Sequence, residues 1–208
     1  MYFARDSFTI VILGDWNEWY MQPGWIAENV FENQEMEVGV NGQGVDYAVS
    51  YKKGNIVIGP AQNQMIFSSF DATSDDLNQL VSCVNRFTKS AFTPFIFAYG
   101  FNCDYYGEDG SIFADVIDNM HDNSCLIDCG YEIVSSKVTR TLAREGKVVI
   151  VDSSLDGTEV KIHFNQHYGE TIEGSRMPEI TLDEVNGFLD SCQEIIHSLG
   201  YDVEEDEQ

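Results

Sequence analysis

Two hydrophobic periods organise this chain. Leu77, Leu80, Val81, Val84 and Phe87 recur at the 3, 4 and 7 spacing of a helix with one buried face. Val185, Phe188, Leu189, Cys192 and Ile195 repeat the stripe 108 positions later, and Ile196 and Leu199 extend it until Gly200 ends the helix. Thr73 and Thr181 stand just before these stripes, with Asp76 and Glu184 three residues on, the pattern of a capping box.

Short β-type runs precede both helices. Tyr47–Tyr51 and Ile56–Ile58 flank a Lys52-Lys53-Gly54-Asn55 turn, while Val138–Ala143 and Val148–Val151 flank Arg144-Glu145-Gly146-Lys147. Each pair predicts a hairpin whose glycine supplies a positive φ. A third strand follows in each half, at Met65–Phe70 and at Glu159–Phe164, the latter after an Asp156-Gly157 turn. The shared order of three strands and a helix predicts an α+β fold, with antiparallel β-sheet and amphipathic helices, built by internal duplication. The predicted organisation is one compact unit over residues 1–208 made of two pseudo-repeats, about 1–92 and 130–203, joined by 93–129, with 202–208 as an acidic tail.

The remaining segments read less regularly. Phe8–Leu13 is an N-terminal strand leading to a Trp-rich turn, and Pro23 suits the first turn of a short helix through Val30. Phe95–Phe101 reads as a central strand buried on both faces, and Asp104–Gly110 as a polar loop. Ile112, Phe113, Val116, Ile117 and Met120 mark a further short helix. His121–Cys129 reads as irregular, before a strand at Tyr131–Ser135.

Charge narrows the choice of partner. The formal net charge is −24, and residues 1–100 carry 5 basic and 11 acidic side chains against 6 and 24 in residues 101–208. Such a field repels nucleic acid and anionic membranes, so direct binding to either is not expected. The longest apolar run, Phe8–Leu13, is far short of the roughly 20 residues a helix needs to span a bilayer. The first six residues lack the basic and apolar regions of a secretory signal. Five cysteines, odd in number and irregular in spacing, favour a reducing compartment, so the expected location is cytoplasmic.

Candidate chemistry is sparse. His163 and His167 share one face of a strand together with Asn165, but a zinc site needs a third ligand from elsewhere. His121, Cys125 and Cys129 are spaced by four and lack the paired knuckles of a structural zinc site. Cys103 could serve as a nucleophile only if the fold brought it to His167. Asp152–Gly157 lacks the terminal bidentate glutamate of a calcium loop, and Gly14, Gly39, Gly42 and Gly44 do not form a phosphate loop. No catalytic residue, metal or cofactor is expected. Trp16, Trp19, Tyr20 and Trp25 crowd one turn, either as a plug over the end of the sheet or as a patch for a partner.

Gly14-Asp15-Trp16-Asn17 followed by Pro23-Gly24-Trp25, then Thr93-Pro94 with Gly100-Phe101-Asn102, then Asn165-Gln166-His167-Tyr168, span nearly the whole chain. This series resembles a family of uncharacterised bacterial proteins of about 200 residues, with G-x-[F/W]-N…P-x-W, T-P…G-x-N and N-x-H-Y motifs. Glu18 replaces an expected proline, and the interval from Pro94 to Gly100 is one residue longer than the family pattern. The resemblance implies a fold and no chemistry. The functional expectation is a non-enzymatic interaction or accessory protein, bound to a protein partner or to a second copy of itself. Two alternatives stand beside it. One is an acidic mimic of nucleic acid that blocks a basic partner. The other is a ligand-binding protein or enzyme with a site between the halves, lined by Asn17, Asn102, Asn165, His167 and Tyr168.

Overall fold

A computed structural model describes residues 1–15, 21–43, 46–61, 63–90, 96–108, 128–129, 134–169 and 177–204. Trp16, Asn17, Trp19 and Tyr20 lie outside the described residues, as do the helix expected over 112–120 and the residues His121 and Cys125. Among the described residues the chain forms one ten-stranded, antiparallel sheet and three α-helices, an α+β architecture.

The N-terminal portion contributes β1 (Tyr2–Phe3), a 3-10 turn (Arg5–Ser7), β2 (Thr9–Gly14) and α1 (Pro23–Asn29). It continues through β3 (Glu37–Gln43), β4 (Asp46–Lys53), β5 (Ile56–Ala61), β6 (Gln64–Ser69) and α2 (Ser74–Lys89). Then come β7 (Ile96–Gly107), β8 (Ser135–Arg144), β9 (Lys147–Asp156), β10 (Glu159–Tyr168) and α3 (Leu182–Ser198). The spatial order is β3-β4-β5-β6-β2-β7-β10-β9-β8, with β1 also on β7. The two halves therefore share a single sheet. β2 and β7 pair antiparallel at its centre, each flanked by the last strand of its own meander and followed outward by the earlier ones.

The hairpins form where glycine frees the turn: Gly54, Gly146 and Gly157 have φ of 57°, 78° and 61°. At α3 the capping box is complete: Thr181 accepts from the Glu184 amide, and the Glu184 carboxylate accepts from the Thr181 amide. At α2 the Thr73 hydroxyl accepts from the Asp76 amide, but the shorter Asp76 side chain takes the Thr73 hydroxyl and Asn55 instead of the cap amide. Gly200, at φ 92°, ends α3: its amide reaches His197 O and the Tyr201 amide reaches Ile196 O.

α2 and α3 pack on the same face of the sheet, and α1 joins them through Trp25 and Ile26. The α2 stripe is entirely buried, whereas Leu189 and Ile195 of α3 are only half-buried. Strand alternation supplies the facing layer: Ile10, Ile12, Met65, Phe67, Phe101, Cys103, Tyr105, Val151, Ile162 and Phe164. Asn85 on α2 ties the halves together, its amide donating to Ile180 O (2.7 Å) and its oxygen accepting from Ile180 N (3.0 Å).

Three expectations change. Asp104–Gly107 belongs to β7 and is not a loop, because β10 and β1 both pair with it. β10 runs on to Tyr168, past the Phe164 end read from hydrophobicity, because β7 pairs with it as far as Tyr99. The first half also has a fourth strand, β3, whose Gly-Val-Asn-Gly sequence carries a weak alternating signal.

Candidate functional site: the polar tract of the open sheet face

The strand residues that alternate away from the helices form a second face, and no described helix lies on it. On the central strands this face presents Thr9 and Val11 of β2, and Gly100, Asn102 and Asp104 of β7. Beyond them come Lys161, His163, Asn165 and His167 of β10 and Val148, Ile150 and Asp152 of β9. Cross-strand register sets these residues side by side. His163 stands between Asp104 and Asp152, Asn165 between Asn102 and Ile150, and Asn102 between Thr9 and Asn165.

Thr9, Asn102, Asp104, Asp152, Lys161, His163 and Asn165 are held by polar partners within the tract or on β8. His163 Nδ1 lies 2.7 Å from one Asp104 oxygen, and Lys161 Nζ lies 2.8 Å from the other. Asp152 accepts from Thr139 Oγ1 at 2.6 Å and pairs with Lys137 Nζ at 2.8 Å. Asn165 donates to Asn102 Oδ1, and Asn102 donates to Thr9 Oγ1 at 3.2 Å. Partial burial pushes the Asp104 carboxyl up, but the hydrogen bonds from His163 and Lys161 outweigh it and hold the group below its ordinary range. Bonds from Lys137 and Thr139 hold Asp152 down in the same way, and the bond to Asp104 raises Lys161.

This arrangement brings three predicted residues together (Asn102, Asn165 and His167) and separates two others. Tyr168 points to the helix-bearing face, where its ring stacks on Tyr99 at 4.6 Å and 9° and meets Phe101 edge-on. Trp25 is half-buried in the first half's core, its ring 6.1 Å from Phe87 and edge-on to it. In the sequence His163 reads only as a possible metal ligand and Asp152 only as the start of a calcium-like loop, while Asp104 and Lys161 carry no signal of a site. The signal for them was cross-strand register, which no single strand displays.

Geometry restricts the chemistry. Four residues along a strand separate His163 from His167 by roughly 13 Å, too far to share one zinc ion. Among the described residues no group of three His, Cys, Asp or Glu side chains could hold a metal. Cys103 lies on the opposite face of the sheet from His167, its sulfur 3.8 Å from that of Cys192 beneath α3. Burial pushes the Cys103 thiol well above its ordinary range, the reverse of what a nucleophile needs. Of the hydroxyls in the tract, Thr139 already donates to Asp152 and Thr9 accepts from Asn102. The tract is thus a ladder of paired charges and amides beside the exposed Val148 and Ile150.

Among the described residues, the fold and the tract define an α+β protein with helices on one face of the sheet and none on the other. No protein-family model matches the chain, and no curated protein matches it. No described helix is long and apolar enough to cross a membrane.

Proposed function

We propose that this chain is a non-enzymatic protein-interaction protein that works in a reducing compartment, and that it engages a protein partner through the open face of its sheet. One observation carries the reading. Val148 (41% exposed) and Ile150 (36%) stand beside Asn165, His167 and the Asp104–His163–Asp152 ladder, on a face bare of described helices. Contact surfaces combine apolar anchors with satisfied polar neighbours in this way. We further propose that the two halves arose by internal duplication. Supporting this are the 108-residue recurrence of the helical stripe, its threonine caps, and the mirrored strand order about β2 and β7.

The test uses the tagged full chain as bait in a lysate of its native host, at low and high salt. Captured proteins are identified by mass spectrometry, with an Ile150→Glu/His167→Glu bait in parallel. A stoichiometric partner retained by the original chain and lost by the double variant is the expected outcome. A partner kept equally by both baits, or none at either salt, would reject the open face as the contact surface. A steep loss of that partner with salt would instead favour the acidic mimic.

A further inference from the structure

The two halves form equivalent grooves on the helix-bearing side, each between the main helix and a hairpin turn. In the first half the groove holds about 180 Å³ and is lined by Gln79, Ser82, Cys83 and Arg86 of α2 and by Lys53 at the β4–β5 turn. In the second it holds about 390 Å³ and is lined by Gly187, Asp190, Ser191 and Glu194 of α3, with Arg144 and Lys147 at the β8–β9 turn. The four helical positions correspond one to one at the 108-residue interval.

The first groove is partly filled by the chain itself. Phe31 and Glu32, which follow α1, form a wall of the space that remains, and Phe31 is 1% exposed. Arg86 clamps this segment: Nη1 donates to Val30 O at 3.1 Å and Nη2 lies 2.7 Å from the Glu32 carboxylate. Lys53 Nζ sits 5.9 Å from the centre of the Phe31 ring. Glu32 and Asn33 both adopt left-handed backbone, with φ of 56° and 59°, so the contacts hold a conformation that most residues avoid.

The second groove keeps the shape and inverts the charge. Gln79 is replaced by Gly187, where an added Cβ would meet nothing within 4 Å, and the space is correspondingly larger. Arg86 is replaced by Glu194 and Ser82 by Asp190, so Glu145, Asp190 and Glu194 outnumber Arg144 and Lys147. The Arg144–Glu194 pair, at 2.9 Å, is exposed on both sides (76% and 65%), and such pairs exchange readily. Val149 and the half-buried Ile195 give the groove an apolar wall.

We propose that this second groove docks a partner polypeptide that presents a large apolar side chain followed by a basic residue, the charge-reversed counterpart of Phe31-Glu32. Residues 109–133 of the chain itself contain no lysine or arginine and so lack the basic half of that signature. The proposal rests on the interaction reading only in taking the occupant to be protein, and it concerns the face opposite the polar tract.

The full chain, isotopically labelled, is titrated by NMR with two end-capped peptides. One copies residues 30–34, and the other carries arginine in place of the glutamate. The arginine peptide should move the amide resonances of Gly187, Asp190 and Glu194 and bind about three- to fivefold tighter than its parent. Glu194→Arg should reverse that order, and Gly187→Leu, which fills the groove, should abolish both shifts while circular dichroism stays unchanged. Equal affinities, shifts confined elsewhere, or no shifts would overturn the proposal. So would contacts from residues 109–127 at these amides in the free protein, which would give the groove to the chain itself. Each of these failures would leave the open-face reading to its own capture test.

Discussion

Asp104 makes the pH dependence of the tract concrete. A carboxyl held below its ordinary range in the fold contributes stability that is complete above its unfolded pKa, near 3.9, and that is lost as pH falls through the folded value. Asp104 and Asp152 therefore stabilise the protein at neutral pH and cease to do so on acidification below about pH 4. Lys161, raised by its bond to Asp104, contributes below its unfolded pKa near 10.4 and loses that contribution as pH rises through the folded value. Lys161→Met removes one of the two groups that hold Asp104 down, so Tm should fall less between about pH 6 and pH 3 than in the original chain. Superimposable acid limbs would show that the ion pair adds nothing. At this scale the shared face of His163, Asn165 and His167 was legible, because alternation along one strand assigns it, whereas Asn102 lay one residue past the end of the strand read at Phe95–Phe101. Asp104 was not legible, because Asp-Tyr-Tyr-Gly reads as a turn until the neighbouring strands are known to pair with it.

Among the elements, the helices were the most legible and the link between them the least. The stripes from Leu77 and Val185 and the caps at Thr73 and Thr181 are local signals, and both helices follow them. Asn85 lies within the α2 stripe and reads as an ordinary surface polar residue. Its partner is the backbone of Ile180, 95 positions away, and no local pattern announces such a bond. Asn85→Ala leaves the Ile180 amide and carbonyl unpaired in a buried site and should cost about 2–4 kcal/mol. The urea midpoint, with the slope unchanged, measures it. A loss below about 1 kcal/mol would show that the α2–α3 junction is solvated.

For the whole molecule, α+β class and the paired hairpins were readable from sequence, whereas the merging of both halves into one sheet was not. The β2–β7 register that joins them depends on contacts spanning roughly ninety residues. Because that seam and the Asn85 bridge cross the junction, unfolding in urea should be a single transition, with tryptophan fluorescence and far-ultraviolet circular dichroism coinciding. Two separated transitions would show that the halves fold independently. The same seam matters while the chain is being made. Once β2 to α2 have emerged from the ribosome and before β7 has, Thr9–Leu13 presents bare backbone amides and carbonyls along one side. Translation at ~5–20 residues per second takes roughly one to four seconds more to deliver the strand that covers them. The nascent chain therefore carries a short-lived sticky edge that the finished protein does not, and a pause that delays the emergence of β7 would prolong it.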